Sequence, residues 1–168
     1  DGILVRFIQE HLHGKSEVLL FPLMKKLTFS IACEVLVGRQ DMEDHDMLLH
    51  PFDTMVKGLF QLPLNIPGTA YSKAMAASDA VRKQLQVWID ERRRGMATGI
   101  SVTEHPDILS GLLKYTDEHG QFLSDKEVKD NMLMMLFAGH DTSSIVATMA
   151  CKYLASNPAI MDQVYAGM

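Results

Sequence analysis

Cysteine is scarce in this sequence: among 168 residues only Cys33 and Cys151 occur, and neither sits in a CxxC or Cys/His spacing. Two isolated thiols exclude a disulfide framework and a cysteine-based zinc site, and they suit reducing surroundings. Basic charge is not in surplus. Sixteen Lys and Arg against 21 Asp and Glu leave a net charge of −5, which argues against a nucleic-acid partner because nothing is spare to neutralise phosphates. No apolar run reaches the ~18 residues a transmembrane helix needs, and the opening residues show no signal-peptide pattern. Sustained apolar–polar alternation, internal repeats and low-complexity tracts are also missing, so strands and repeat architectures are not expected.

What is present reads as helix, with 47% hydrophobic residues to build a core. Leu4, Val5, Ile8 and Leu12 recur at helical spacing and stop near Gly14. Pro22 suits a first helical turn, Leu23, Leu27, Ile31 and Val35 form an apolar stripe, and Gly38 supplies a stop. Residues 40–46 are polar and acidic and read as a solvated loop. Pro51 then opens a helix through Met55, Val56, Leu59 and Phe60, broken by the apolar Leu62-Pro63-Leu64-Asn65-Ile66-Pro67-Gly68-Thr69 segment. Ser72 offers a cap for a long helix with Val81, Leu85, Trp88 and Ile89 on one face, finishing at Arg92-Arg93-Arg94-Gly95. Residues 97–106 read as a linker, Asp107 to Tyr115 as a short helix, and Asp117 to Gly120 as a turn.

The last third is the most informative. Ser124-Asp125-Lys126-Glu127 forms a capping box, and no proline interrupts the chain until Pro158. A helix over 124–156 would run about 50 Å at 1.5 Å per residue. It is apolar on every side around residues 132–138 and again over 145–151, apart from Thr148, a pattern that predicts burial through the middle of a domain. Between those runs lies Gly139-His140-Asp141-Thr142-Ser143-Ser144. Glycine weakens the helix, and Thr and Ser hydroxyls bond back to earlier carbonyls and bend it. A carboxylate there is costly without a partner. Together these residues predict a helix opened locally beside an apolar cavity; the competing reading is a core helix with Asp141 salt-bridged and its hydroxyls back-bonded.

Ala138-Gly139-His140-Asp141-Thr142-Ser143 resembles the central-helix signature of cytochromes P-450: Ala or Gly, Gly, any residue, Asp or Glu, Thr, then Thr or Ser. The Pro63 to Thr69 loop with Tyr71 and Ala74, Asp107-Ile108-Leu109 leading to Leu123-Ser124-Asp125, and Lys152-Tyr153-Leu154 with Asn157-Pro158 resemble the plant branch that oxidises triterpenoids and steroids. The resemblance implies an all-α chain: the central portion of that fold, about its helices D to J, with a long kinked central helix over 124–156. It also implies that 1–168 is one partial domain, an internal fragment of a monooxygenase with its anchor and haem-ligand regions elsewhere. Asp141 and Thr142 would be catalytic, Asp141 relaying protons and Thr142 holding water or dioxygen. Ala138, Gly139, Thr142 and Ser143 would lie over the haem, and Phe137, Leu136, Met55 and Leu59 would wall the substrate pocket.

The implied partners are O₂, an NADPH-cytochrome reductase, a lipophilic small molecule, and a membrane surface met through the 62–69 loop. The implied location is the cytoplasmic face of the endoplasmic reticulum membrane. The axial cysteine of that family is not among the motifs here. Cys33 and Cys151 read as small buried hydrophobes, and Glu91-Arg92-Arg93-Arg94 reads as a helix end whose cations complement the dipole. Glu10-His11-Leu12-His13 has the spacing of one half of a di-iron site but no second copy, so it reads as a solvated helix end. His45, His50, His105 and His119 read as surface histidines, His140 receives no ligand role, and Met132, Met134 and Met135 read as core. The alternative to an enzyme fragment is a non-catalytic all-α interaction module or a pseudogene product.

Overall fold

The computed structural model describes residues 2–39, 42–99 and 107–167, with residues 42–44 described by backbone alone. Seven α-helices occur among the described residues, α1 Gly2–His11, α2 Leu20–Val37, α3 Met42–Gly58, α4 Ala70–Thr98, α5 Ile108–Lys114, α6 Asp125–Ser156 and α7 Pro158–Ala166. The only strand-like feature among them is an isolated bridge between Thr116 and Phe122. The expected all-α class is what forms. Two pairings organise it, α2 along α6 and α3 along α4. Phe29, Phe52, Leu85, Ile89, Met132 and Leu136 are sealed in the core where the pairs meet.

Helix starts and stops follow local chemistry closely. Gly38 takes a left-handed φ of 68° and its N–H donates to Glu34 O, closing α2. Thr69, not Ser72, caps α4: its side chain accepts from the Ser72 N–H, and its own hydroxyl contacts the Leu64 and Ile66 carbonyls at 2.8 Å. Asp107 caps α5 from just outside the helix, and the Ser124–Glu127 capping box opens α6, as the sequence predicts for α6.

Burial departs from several expectations. In α1 the inward residues are Ile3 and Phe7, leaving Leu4, Val5 and Ile8 exposed. Glu10 and His13 are exposed. In α2 the core takes Phe29, Cys33, Leu36 and Val37, and the Leu23 to Val35 stripe is at most half-buried. Residues 42–46 are helical, and Pro51 lies inside α3 instead of opening it. His45, Leu48, Phe52 and Val56 are all buried. Their helical spacing carries one inward stripe through the proline, and that burial outweighs the lost backbone bond. His45 is therefore no surface histidine, and its Nε2 lies 3.0 Å from Arg39 O. His50 is exposed on α3, His119 is exposed in its turn, and His105 lies outside the described residues. Met132 is buried, whereas Met134 is 67% exposed.

The arginine triplet is no helix end. α4 continues to Thr98 and closes on Gly99 at φ 69°. The rest of the 97–106 linker lies outside the described residues, apart from Ala97 and Thr98 in α4 and the Gly99 cap. Arg92 is buried, pairs with Asp107 and Ser110, and donates from Nη2 to Val37 O at 2.6 Å. One guanidinium thereby joins α2, α4 and the start of α5. Arg93 reaches Asp125 at 2.6 Å, and Gln86 Nε2 donates to the same carboxylate at 2.7 Å. Gln86 and then Arg93 hold the Asp125 carboxyl below its ordinary pKa, fixing the first turn of α6 against α4. Glycine matters at one crossing: a Cβ on Gly58 would collide with the Ala74 Cβ, so α3 and α4 meet there backbone to backbone.

Removing one partner of a buried ion pair strands the other charge. Asp107→Ala is expected to cost about 3–5 kcal/mol, read as a fall in the denaturant midpoint. Lys126→Ala, which breaks the exposed pair with Asp130, should leave that midpoint nearly unmoved.

Candidate functional site

The Gly139 to Ser144 segment lies at the centre of α6, where the helix remains α-helical without a break. The expected local opening does not form, and the hydroxyls are back-bonded within the continuous helix. Thr142 Oγ1 donates to Ala138 O at 2.7 Å, Ser144 Oγ to Asp141 O at 2.8 Å, and Thr148 Oγ1 to Ser144 O at 2.7 Å.

α6 has two sides. Val128, Met132, Leu133, Leu136, His140 and Ser144 face inward and are buried. Ala138, Gly139, Thr142 and Ser143 face outward and are exposed, on one arc as their spacing of one, three and four residues requires. The same side continues through Ile145, Val146 and Met149, exposed by 51%, 68% and 59%. Apolarity all round thus does not mean burial all round here. Between α2 and α6 runs an apolar groove of about 370 Å³, whose lining includes Thr28, Ile31, Val35, Met135, Gly139 and Ser143. Half of the α2 stripe read from the sequence faces this groove instead of the core.

Asp141 does have a partner. Lys25 Nζ, from α2, lies 3.2 Å from Asp141 Oδ1 and 2.8 Å from Asp53 Oδ1 of α3. His140, only 1% exposed, points Nε2 at Asp53 Oδ1 from 3.5 Å, and Nε2 is 3.9 Å from Asp141 Oδ1. At its other nitrogen, Thr28 Oγ1 lies 3.3 Å from Nδ1. The imidazole is held edge-on by Phe29 and Phe52, with ring centroids 5.1 and 6.0 Å away. Burial works against the Lys25 charge, but Asp53 and Asp141 more than offset it and raise its pKa. Burial would likewise raise the Asp53 carboxyl, yet His140 and Lys25 together lower it to about 2.

One atom each of Asp53, His140 and Asp141 lies within 4.8 Å of the others, close enough to share a metal ion. The Lys25 ammonium already stands against both carboxylates, so the cluster is an ion-pair network with its cation supplied by the chain. The sequence signalled only that Asp141 needs a partner; Lys25, Asp53 and Thr28 come from helices more than 80 residues away and carry no local mark. The substrate-wall candidates divide. Leu136 is sealed in the core at 0% exposure and does not line the α2–α6 groove, Phe137 and Met55 are half-buried against that core, and Leu59 is 65% exposed. Cys33 is buried as expected, but Cys151 is exposed.

The Asp53 pKa sets a pH dependence. Its folded value lies below the ordinary 3.8, so its contribution to stability is complete above about pH 4 and is lost as pH falls towards 2. In acid titrations followed by helical circular dichroism, Asp53→Asn should flatten the loss of stability over that window.

Against this geometry, comparison with known proteins is direct. The family described as Cytochrome P450 matches residues 2–168. A beta-amyrin 28-monooxygenase of Solanum lycopersicum is 36% identical over 168 residues, covering 98% of this chain and 35% of that protein. A beta-amyrin 6-beta-monooxygenase of the same organism is 38% identical over 149 residues, covering 89% of this chain and 30% of the relative. The solved structure of retinoic acid bound cyanobacterial CYP120A1 superposes with a TM-score of 0.84 at 28% identity, over 98% of this chain and 36% of the other. The chain therefore spans about a third of the length of the curated relatives it matches. Helix order, the Ala138 to Ser143 motif and these likenesses agree: this chain belongs to the cytochrome P450 family.

Proposed function

We propose that the protein of which this chain forms part is a haem-dependent monooxygenase, placing one oxygen atom of O₂ into a lipophilic terpenoid- or sterol-like substrate. A reductase, expected to be an NADPH-cytochrome reductase, would supply the electrons. One observation carries the reading: Ala138, Gly139, Thr142 and Ser143 form an open strip of small side chains on α6, with a tethered carboxylate, Asp141, beside it.

That strip fits one face of a haem. A Cβ added at Gly139 would meet nothing within 4 Å, so a flat group has room to approach the backbone. A thiolate is not offered by the strip, since Cys33 is buried among the core residues and Cys151 stands about 13 Å further along the helix at 1.5 Å per residue. When bound, the haem supplies the redox chemistry that activates dioxygen. Ala138 and Gly139 leave the space above it. Thr142, its proton engaged by Ala138 O, keeps lone pairs that accept from a water, and rotation of the hydroxyl turns it into a donor. Asp141, half-exposed, carries protons between solvent and that water. Phe137, Met55 and Leu59 are the candidate substrate contacts, and Leu136 lies fully buried in the core.

In the haem-loaded, full-length protein, Asp141→Asn is expected to slow product formation about 100-fold, the scale of a lost general acid. Thr142→Ala should let reductant be consumed without matching product. Turnover unchanged by either substitution would remove the oxygen-handling role from this motif.

A membrane surface is the second part of the reading. No helix of the described residues is long and apolar enough to cross a membrane. Phe60, Leu62, Leu64 and Ile66 are nonetheless 82%, 77%, 53% and 58% exposed on the connection between α3 and α4, a clustered apolar patch suited to dipping into lipid. The exposed patch supports a reading in which, in the full-length protein, the 62–69 connection would rest on the endoplasmic reticulum membrane from its cytoplasmic face. Co-sedimentation with liposomes, after removal of any anchor, should weaken when Leu64 and Ile66 are both changed to Asp; undiminished binding would refute the contact.

A further inference from the structure

The ion-pair cluster behind the motif has an asymmetry that bears on how Asp141 works. Two carboxylates share one ammonium, and the shares are unequal: Lys25 Nζ is 2.8 Å from Asp53 and 3.2 Å from Asp141. The preferred acceptor is also the more deeply placed one, with 25% side-chain exposure against 35% for Asp141. His140 strengthens that preference. Its Nε2 is buried and makes no hydrogen bond of good geometry, yet it faces Asp53 from 3.5 Å. Thr28 Oγ1 at 3.3 Å from Nδ1 can serve as donor or acceptor. A protonated His140 donates from Nδ1 to Thr28 and presents Nε2–H to Asp53; a neutral one does so when the Thr28 hydroxyl turns its proton to Nδ1 and away from the Met24 carbonyl at 3.0 Å.

We propose that Lys25, Asp53 and His140 are positioning residues for Asp141, with Asp53 and His140 holding Lys25 back so that Asp141 is tethered but free to swing away. This inference rests on the reading of Asp141 as the proton carrier. Its physical basis is a competition. When Asp141 leaves, Lys25 keeps a full partner in Asp53, so the departure exposes no uncompensated buried cation. Without Asp53, Asp141 becomes the remaining carboxylate within reach of Lys25 in this cluster, and the same departure strands the ammonium. The variable position of the motif thereby acquires a role, since His140 reaches back through the core to fix the competitor.

The competition predicts a rescue that a merely structural role would not produce. In the haem-loaded, full-length protein, Asp53→Asn should lower product formation about tenfold, the scale of one hydrogen bond to a charged group, and raise the solvent deuterium isotope effect. Adding Lys25→Met to Asp53→Asn should recover most of that loss, because nothing then holds Asp141. An independent readout is the infrared carboxylate stretch of Asp141, isolated by difference against Asp141→Asn: it should shift in Asp53→Asn and shift back in the double variant. Asn and Met preserve size at partly exposed positions, and circular dichroism of each variant checks the fold. A double variant no faster than Asp53→Asn, or a carboxylate band that neither change moves, would overturn the proposal. If the band moves as expected while Asp141→Asn leaves turnover intact, the tether stands and the proton-carrier reading falls.

Discussion

A buried imidazole at the crossing of three helices is the constraint on which the rest of this structure depends. His140 is packed edge-on against Phe29 of α2 and Phe52 of α3, which fixes how α6 sits on both. An imidazole at 1% exposure must direct its polar atoms somewhere, and the available groups are Thr28 and Asp53. That need draws Asp53 inward, and Asp53 in turn draws Lys25. Apolar packing and charge pairing are therefore one arrangement here. The aromatic contacts set the distance between helices, and the ion pairs set their rotation.

Fixing one side of α6 determines the other. With His140 and Ser144 inward, helical geometry turns Ala138, Gly139, Thr142 and Ser143 outward. The exposed strip is thus presented by the burial of its neighbours, and its own residues contribute little packing. Small side chains on such a strip leave the space that the proposed planar group would enter. Asp141 stands at the border between the two sides, half-exposed and held by Lys25. A carboxylate at that border reaches both solvent and the open face, as the proposed proton-carrying role would require.

A second hub holds the far end. Arg92 ties α4 to the last carbonyl of α2 and to the Asp107 cap, while Asp125 secures the start of α6 on Gln86 and Arg93. The α3–α4 pair is thereby anchored through α4, and its opposite end, with the apolar 59–66 connection, is left to face outward. The close approach at Gly58 and Ala74 keeps that pair narrow. The pair is thus tied by ion pairs at its base and carries exposed apolar side chains at its tip.

Much of this was legible in the sequence because it is local. The Ser124–Glu127 capping box, the Gly38 stop and the inward face of Val81, Leu85, Trp88 and Ile89 depend on residues within a few positions of one another. The Ala138 to Ser143 motif identified the family for the same reason. Side-of-helix questions were harder. Where α6 is apolar on every face, periodicity carries no direction, so the exposure of Met134 and Cys151 could not be read from pattern. The inward helix through Pro51 was hidden by its acidic composition, and Arg92 looked like a terminal cation because its partners lie 15 and 55 residues away. The sequence by itself determined the helices, their caps and the chemistry of the motif. Only the tertiary structure decided which face of α6 is open and that Asp53 and Asp141 share Lys25 beside His140. Those outcomes depend on distances between helices, and no spacing along a chain encodes them.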